Sequence, residues 1–324
     1  MNGFLDLAAA NLVSPVILSF ALGLAAALGR SDLSVPEAAA KALSIYLLFA
    51  IGFKGGAAVA ANGLDRTLVL ALLGGLVLSF VTPFVAYALL GVLTRLSPLD
   101  RAAVAGHYGS ISIVTFVAAT SVLEDAGIAA EGYMVAVAAV MEAPAILSAL
   151  WLVARSGQGG RMDAGLMREI LLNGSIVLLV GSFVIGAATG EDGLAQISSF
   201  IVAPFTGVLC IFLLDMGLVA GRGLRQVRGV LGPGAVVFAA VMPLAGGALG
   251  LGSAALIGLS PGGAALMTTL AASASYIAVP AAMRVALPEA NPSIYLTLCL
   301  GLTFPFNLTV GIPVYVAVSQ RILG

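Results

Sequence analysis

Gly106-His107-Tyr108-Gly109-Ser110-Ile111-Ser112 stands in the middle of one long apolar stretch. Ala271-Ala272-Ser273-Ala274-Ser275-Tyr276, followed four residues later by Pro280, stands in the middle of another. Both segments are too polar and too rich in small residues for a helix that faces lipid. Non-helical backbone at membrane depth is tolerated only where it is buried in protein or lines a cavity. The two segments therefore predict two broken helices, each enclosed by others. Breaks at matching places in two halves of a chain mark the binding site of a transporter.

The rest of the sequence makes these stretches membrane spans. Apolar residues are 60% of the 324, and charged residues only 9%, against roughly 25% in a soluble domain. The charges fall in short clusters between apolar runs, and in lipid such runs must be helical to satisfy their backbone hydrogen bonds. Forty glycines and 14 prolines suit close packing and kinks in a membrane bundle. A net charge of −1 gives no basic surface for nucleic acid, so the lipid bilayer is the partner that composition implies. The N-terminal run carries no Lys or Arg before it, which argues against a cleaved signal peptide. Cys210 and Cys299 fall inside spans and read as small core residues.

About ten spans are expected. They are Leu12–Leu28, Pro36–Phe53, Thr67–Leu93, Ala102–Leu123 and Tyr133–Val153, then Met167–Ala188, Ser198–Val219, Val230–Ile257, Ala264–Leu287 and Ile294–Val318. With both termini outside, eleven of the 14 Lys and Arg fall on the inner side, and only Lys54, Arg66 and Arg321 on the outer. That is the orientation the positive-inside rule selects, in a cell's inner (plasma) membrane. The chain also matches itself at a shift of about 160 to 166 residues. Ser19-Phe20-Ala21-Leu22-Gly23 parallels Ser182-Phe183-Val184-Ile185-Gly186, Thr82-Pro83 parallels Met242-Pro243, and Ser110-Ile111-Ser112 parallels Ser273-Ala274-Ser275. Ile45-Tyr46-Leu47-Leu48 likewise parallels Ile211-Phe212-Leu213-Leu214, and Ala143-Pro144 parallels Phe304-Pro305. The expected organisation is an all-α membrane protein of two five-helix repeats, 1–154 and 168–324, joined by a cytoplasmic linker at 155–167. Five spans per half is odd, so the halves are inverted, as in secondary transporters.

The broken fourth and ninth helices would aim free N–H groups and partial positive charge at an anion, near Gly109, Ser110, Ser112, Thr115, Ser273 and Ser275. Close packing by small residues is the competing reading. Glu142 lies deep in the fifth span, where a lone carboxylate costs about 3 kcal/mol or more. A sodium ion would satisfy it together with hydroxyls and freed carbonyls; a protonated Glu holding two helices together is the alternative. Asp215 fits a second cation ligand, a proton carrier or a helix-to-helix bond equally well, and Asn307 is a milder polar candidate. His107 is the only histidine, so no multi-histidine haem or transition-metal site is available. It reads as a proton carrier or as a donor to a nearby carbonyl. Arg284 reads as a snorkelling anchor or an anion contact. An enzyme fails on inventory, with no HExxH and both lysines near span ends. A carrier of another small anion, a proton-coupled carrier and a channel stay open.

At these residues the sequence resembles the sodium-dependent bicarbonate transporters first associated with cyanobacteria. The resemblance covers about 300 residues and is densest in Gly109-Ser110-Ile111-Ser112 through Leu123-Glu124, in Met141-Glu142-Ala143-Pro144-Ala145, and from Arg284 through Asn291-Pro292-Ser293 to Tyr295. It implies inverted five-helix repeats with crossed broken helices, a bundle like that of bile-acid sodium symporters, bicarbonate and Na+ as substrates, and no cofactor. It also implies homotrimers and, in cyanobacteria, inhibition by a PII-like protein on the cytoplasmic face. The chain departs from the cyanobacterial pattern at Ser112-Ile113-Val114-Thr115, at Ser273-Ala274-Ser275-Tyr276, at Glu142 where that pattern has Asp, and in its short linker.

Overall fold

Two serine-proline pairs start the helices that matter most. Ser97 caps a helix that begins at Pro98 by accepting the Asp100 N–H (3.0 Å), and Ser260 caps one that begins at Pro261 by accepting the Gly263 N–H (3.1 Å). Serine satisfies a free first-turn N–H, and proline at the first helical position has no N–H to satisfy. The computed structural model describes residues 13–62, 66–142, 144–155, 168, 172, 174–226, 231–276, 279–280, 283 and 287–324. Arg284, Arg161, Arg228 and linker residues 156–167 lie outside these.

The described chain is helical throughout, with no strand among the described residues. In order, the helices are α1 (Pro15–Leu28), α2 (Glu37–Asn62), α3 (Arg66–Leu93), α4 (Pro98–Gly109) and α5 (Ile113–Asp125). Then come α6 (Met134–Val140), α7 (Pro144–Arg155), α8 (Gly174–Ile201), α9 (Phe205–Gln226), α10 (Pro233–Ile257) and α11 (Pro261–Ala272). The last, α12 (Pro292–Leu323), widens into π-helical turns at Thr297–Thr303 and Asn307–Gly311, on either side of Pro305. Among the described residues, eight helical stretches are long and apolar enough to cross a membrane, α4–α5 and α6–α7 each counting as one, and α1 is a shorter apolar helix. Bare apolar side chains such as Leu256 (91% exposed) and Val92 (83%) point outward, as a lipid-facing surface requires.

The helices pack in two groups. In one, α1 lies along α9 and α2 along α8. Gly23 meets the Leu214 backbone and Gly186 the Phe53 backbone there, so the helices touch main chain to main chain. In the other group α3 packs on α4, α7 and α10, while α11 packs between α10 and α12. The broken stretch α4–α5 is enclosed: all of its most apolar window is buried, against 17% for α8. Lipid does not reach it.

Two expected spans change their ends. The second span does not stop at Phe53 but runs on as α2 to Asn62, because Lys54 is not a loop charge: its Nζ pairs with Glu124 Oε1 at 2.9 Å. The sixth ends close to the expected Ala188: the helix is interrupted at Gly190 (φ 60°), a backbone angle glycine adopts without steric cost, and a second helical segment follows to Ile201. The expected seventh span, Ser198–Val219, shifts accordingly to Phe205–Gln226. The fifth span, expected as Tyr133–Val153, is interrupted at Met141-Glu142, ahead of Pro144.

Candidate functional site

Both breaks have the same backbone. Helices α4 and α11 are each 12 residues long, and each ends at an extended serine: Ser110 (φ −85°, ψ 169°) and Ser273 (φ −87°, ψ 169°). A second serine follows each break. Ser112 accepts the Thr115 N–H (3.2 Å) and caps α5, while Ser275 accepts the Val279 N–H (3.4 Å). The first-turn N–H groups of Ile113 and Val114 have no partner inside α5, because the first four amides of any helix lack one.

The breaks lie against each other. The Ser112 N–H donates to Ser273 Oγ (2.8 Å), and the Ser275 N–H donates to the His107 carbonyl (2.8 Å). His107 Nδ1 lies 2.6 Å from the Ser275 carbonyl oxygen, and its ring stacks on Tyr295 at 4.4 Å between centroids. Further bonds hold this crossing from behind. Asn307 Nδ2 donates to the Ala272 carbonyl (3.0 Å), and Tyr315 donates to Asn307 Oδ1 (2.9 Å). Thr303 donates to the Ala239 carbonyl (2.9 Å), so the proton in its 2.6 Å contact with Tyr108 comes from the phenol. Gly109 is where α4 meets the proline kink of α3. A Cβ there would run into the Pro83 ring and stand 2.8 Å from the Ser79 carbonyl oxygen.

A hydroxyl has one proton to give, so the free donors can be identified. Ser273 gives its proton to the Leu270 carbonyl (2.9 Å) and also accepts from Ser112, so it is fully committed to the fold. Thr115 gives its proton to Ser112 Oγ (2.8 Å). Ser112 accepts twice, and its own proton has no acceptor among the described residues. The Ser275 proton is in the same position. Ser110 Oγ is buried with no partner among the described residues. Tyr276 was not singled out from the sequence. Its buried hydroxyl also lacks a partner and lies beside Ser112. Only its place next to Ser275 could have drawn attention to it.

Glu142 is 4% exposed, at the break between α6 and α7, and its Oε2 is buried without a partner among the described residues. Its neighbour Met141 is tied to the first break through Ser79, which donates to the Met141 carbonyl while its own carbonyl faces Gly109. Such an oxygen is expensive to bury alone. Glu142 Oε2 and Ser110 Oγ are both oxygens of the type a hard monovalent cation takes. Asn307 sits at the other break, with both ends of its amide already bonded. Asp215 is buried on α9, which packs chiefly on α1, and no hydrogen bond links it to the crossing among the described residues. The structure therefore gathers Gly109, Ser110, Ser112, Thr115, Ser273, Ser275, Glu142 and Asn307 around one crossing and leaves Asp215 apart.

Comparison with curated proteins gives no significant match. The family model described as the Na+-dependent bicarbonate transporter superfamily matches residues 15–320, nearly the whole chain. Together with the buried crossing of two broken helices in a membrane bundle, that match places this chain in the Na+-dependent bicarbonate transporter superfamily.

Proposed function

We propose that this protein is a sodium-coupled secondary active transporter that imports bicarbonate. The anion lies at the crossing, held by the hydroxyl protons of Ser112 and Ser275 and the free amides that open α5. The cation lies beside it on Glu142 and Ser110. One observation carries the reading: buried oxygens without a partner among the described residues occur at both interruptions, Ser110 Oγ at the first break and Glu142 Oε2 between α6 and α7. No Lys or Arg bonds to the crossing among the described residues, so the positive charge that a buried anion needs comes from helix ends and from the co-bound ion. Anion binding then depends on sodium.

The proposal includes ten spans in two inverted repeats. The eight long apolar helices, the shorter α1, and α11 with the helical residues beyond its break support that count. The proposal places the multi-pass bundle in the plasma membrane with both termini outside. Assembly as a homotrimer belongs to the same proposal, and mass measurement of the purified protein in detergent reads it.

The test is uptake of radiolabelled bicarbonate into proteoliposomes under an inward sodium gradient, with an equal choline gradient as control. Accumulation above equilibrium with sodium alone, abolished by Glu142→Gln, is expected. Equal anion affinity with and without sodium would remove the coupling, and absence of accumulation under either gradient would remove bicarbonate import.

A further inference from the structure

The crossing contains a residue that the reading above leaves without a role. His107 is fully buried on α4, one turn before the first break, and it contacts the second break through two bonds to one residue. A carbonyl oxygen can only accept, so the 2.6 Å contact between His107 Nδ1 and the Ser275 carbonyl requires the proton to be on Nδ1. In return, the Ser275 N–H donates to the His107 carbonyl at 2.8 Å. Both polar groups of the Ser275 main chain are thus held by one residue 168 positions away. The Tyr295 ring, stacked at 4.4 Å, closes one face of the imidazole and fixes its plane.

We infer that His107 is the positioning residue of the anion site, acting through Ser275, with Nδ1–H as its required tautomer. This rests on the proposed function. Ser275 brings one of the two hydroxyl protons assigned to the anion, and the direction of that hydroxyl follows from its main chain. The corresponding residue of the first break, Ser112, has its main chain anchored by Ser273 Oγ instead. The two donors are therefore set relative to each other by one histidine clasp and one serine bond, each reaching across from the opposite break. Replacing the clasp alters the spacing between the donors while leaving the local bonds that Ser112 and Ser275 accept from the Thr115 and Val279 N–H groups. A second consequence concerns the ring's other nitrogen. With Nδ1 protonated in a neutral ring, Nε2 is a bare acceptor, and it is buried with no partner among the described residues.

His107 is the only histidine in the chain, so its tautomer can be read without any substrate. Protein labelled with 15N-histidine, purified on a tag that contains none, gives the ring-nitrogen signals of His107 alone. A proton on Nδ1 is expected, and a proton on Nε2 alone would overturn the inference whatever the protein transports. The second arm measures KM and maximal rate of sodium-driven bicarbonate uptake for His107→Asn, His107→Gln and His107→Leu, beside thermal unfolding. Asn places an amide donor at the level of Nδ1 and should keep KM within about threefold of the parent. Gln and Leu should raise KM roughly tenfold or more, the effect of losing a buried positioning bond, with maximal rate changing less. Equal KM for all three variants, or a Leu variant with the parent's KM, would also overturn it. A parent protein that takes up no bicarbonate overturns the proposed substrate instead, and leaves the labelling arm to decide the clasp.

Discussion

The two breaks share a backbone and differ in how their side chains are used. Each follows a 12-residue helix capped by a serine-proline pair, and each turns at an extended serine with almost identical dihedral angles. Yet Ser273 is saturated by Leu270 and Ser112, whereas its counterpart Ser110 has no side-chain partner among the described residues. His107 reaches from the first break to grip the second, and the second break returns no such grip from Leu270, the matching position. Beside the first break stands Glu142 with a free oxygen, and beside the second stands Asn307 with its amide fully bonded. A duplicated frame is thus divided between two tasks. The first break keeps its oxygens for a ligand, and the second contributes bonds that hold the crossing together.

The sharpest way to break this comparison is to exchange function against stability at its two ends. Glu142→Gln removes a buried charge with no partner, so it should leave thermal stability unchanged or raise it, while lowering sodium-driven uptake about 100-fold. Asn307→Ala should do the reverse at first order. It strands the Ala272 carbonyl and the Tyr315 hydroxyl, at about 2–3 kcal/mol of stability. Unfolding in detergent and uptake, measured on both variants, separate the two roles. If Glu142→Gln unfolds the protein as Asn307→Ala does, Glu142 is a structural bond and the cation site is lost from the proposal.

Gly109 and Ala272 end the two short helices at matching positions, and only the first is pinned. Gly109→Ala pushes α4 off the Pro83 kink and should cost about 1–3 kcal/mol, read as a lower melting temperature with weaker uptake. Ala272→Gly removes one methyl at the corresponding place and should cost about 1 kcal/mol or less. Next in size comes the serine pair. Ser273→Ala leaves the Ser112 N–H without its acceptor and should cost about 1–2 kcal/mol. Ser110→Ala removes a group with no partner, so stability should hold while the sodium concentration for half-maximal uptake rises several-fold. Similar melting shifts for the two serine variants would erase the distinction between the breaks.

The frame was legible in the sequence because it is local. Gly109-Ser110-Ile111-Ser112 and Ser273-Ala274-Ser275 interrupt their helices where the run of small and polar residues says they should. Ser97-Pro98 and Ser260-Pro261, also 163 residues apart, are an equally legible sign of the duplication. The division of roles was not legible, because it depends on distant partners. Nothing near Ser273 in the chain shows that its oxygen accepts from Ser112. His107 was open to a bond with a nearby carbonyl, but the carbonyl it found belongs to the opposite break. The misplaced end of the second span has a similar origin. Lys54 looked like a loop charge, since composition does not show that it meets Glu124.

The smallest effect is expected where the two helix groups meet through charge. Lys54 on α2 pairs with Glu124 on α5 at 2.9 Å, and its ammonium also lies 5.3 Å from the Phe205 ring of α9. Both side chains are partly exposed, Lys54 by 28% and Glu124 by 55%, so solvent screens their attraction. Lys54→Met should therefore change stability by only about 0–1 kcal/mol, despite this being the one ion pair among the described residues. Its position gives the variant another use. Lys54, Glu124, Thr120 and Phe116 line a cavity of about 260 Å³ between the two groups, apart from the crossing. If the anion is selected at the crossing, Lys54→Met should leave KM for bicarbonate within about twofold of the parent, and its dependence on ionic strength should flatten. A KM increase as large as that of Ser110→Ala would move part of anion selection from the breaks to this charged rim, and the contrast between the two breaks would no longer account for the site.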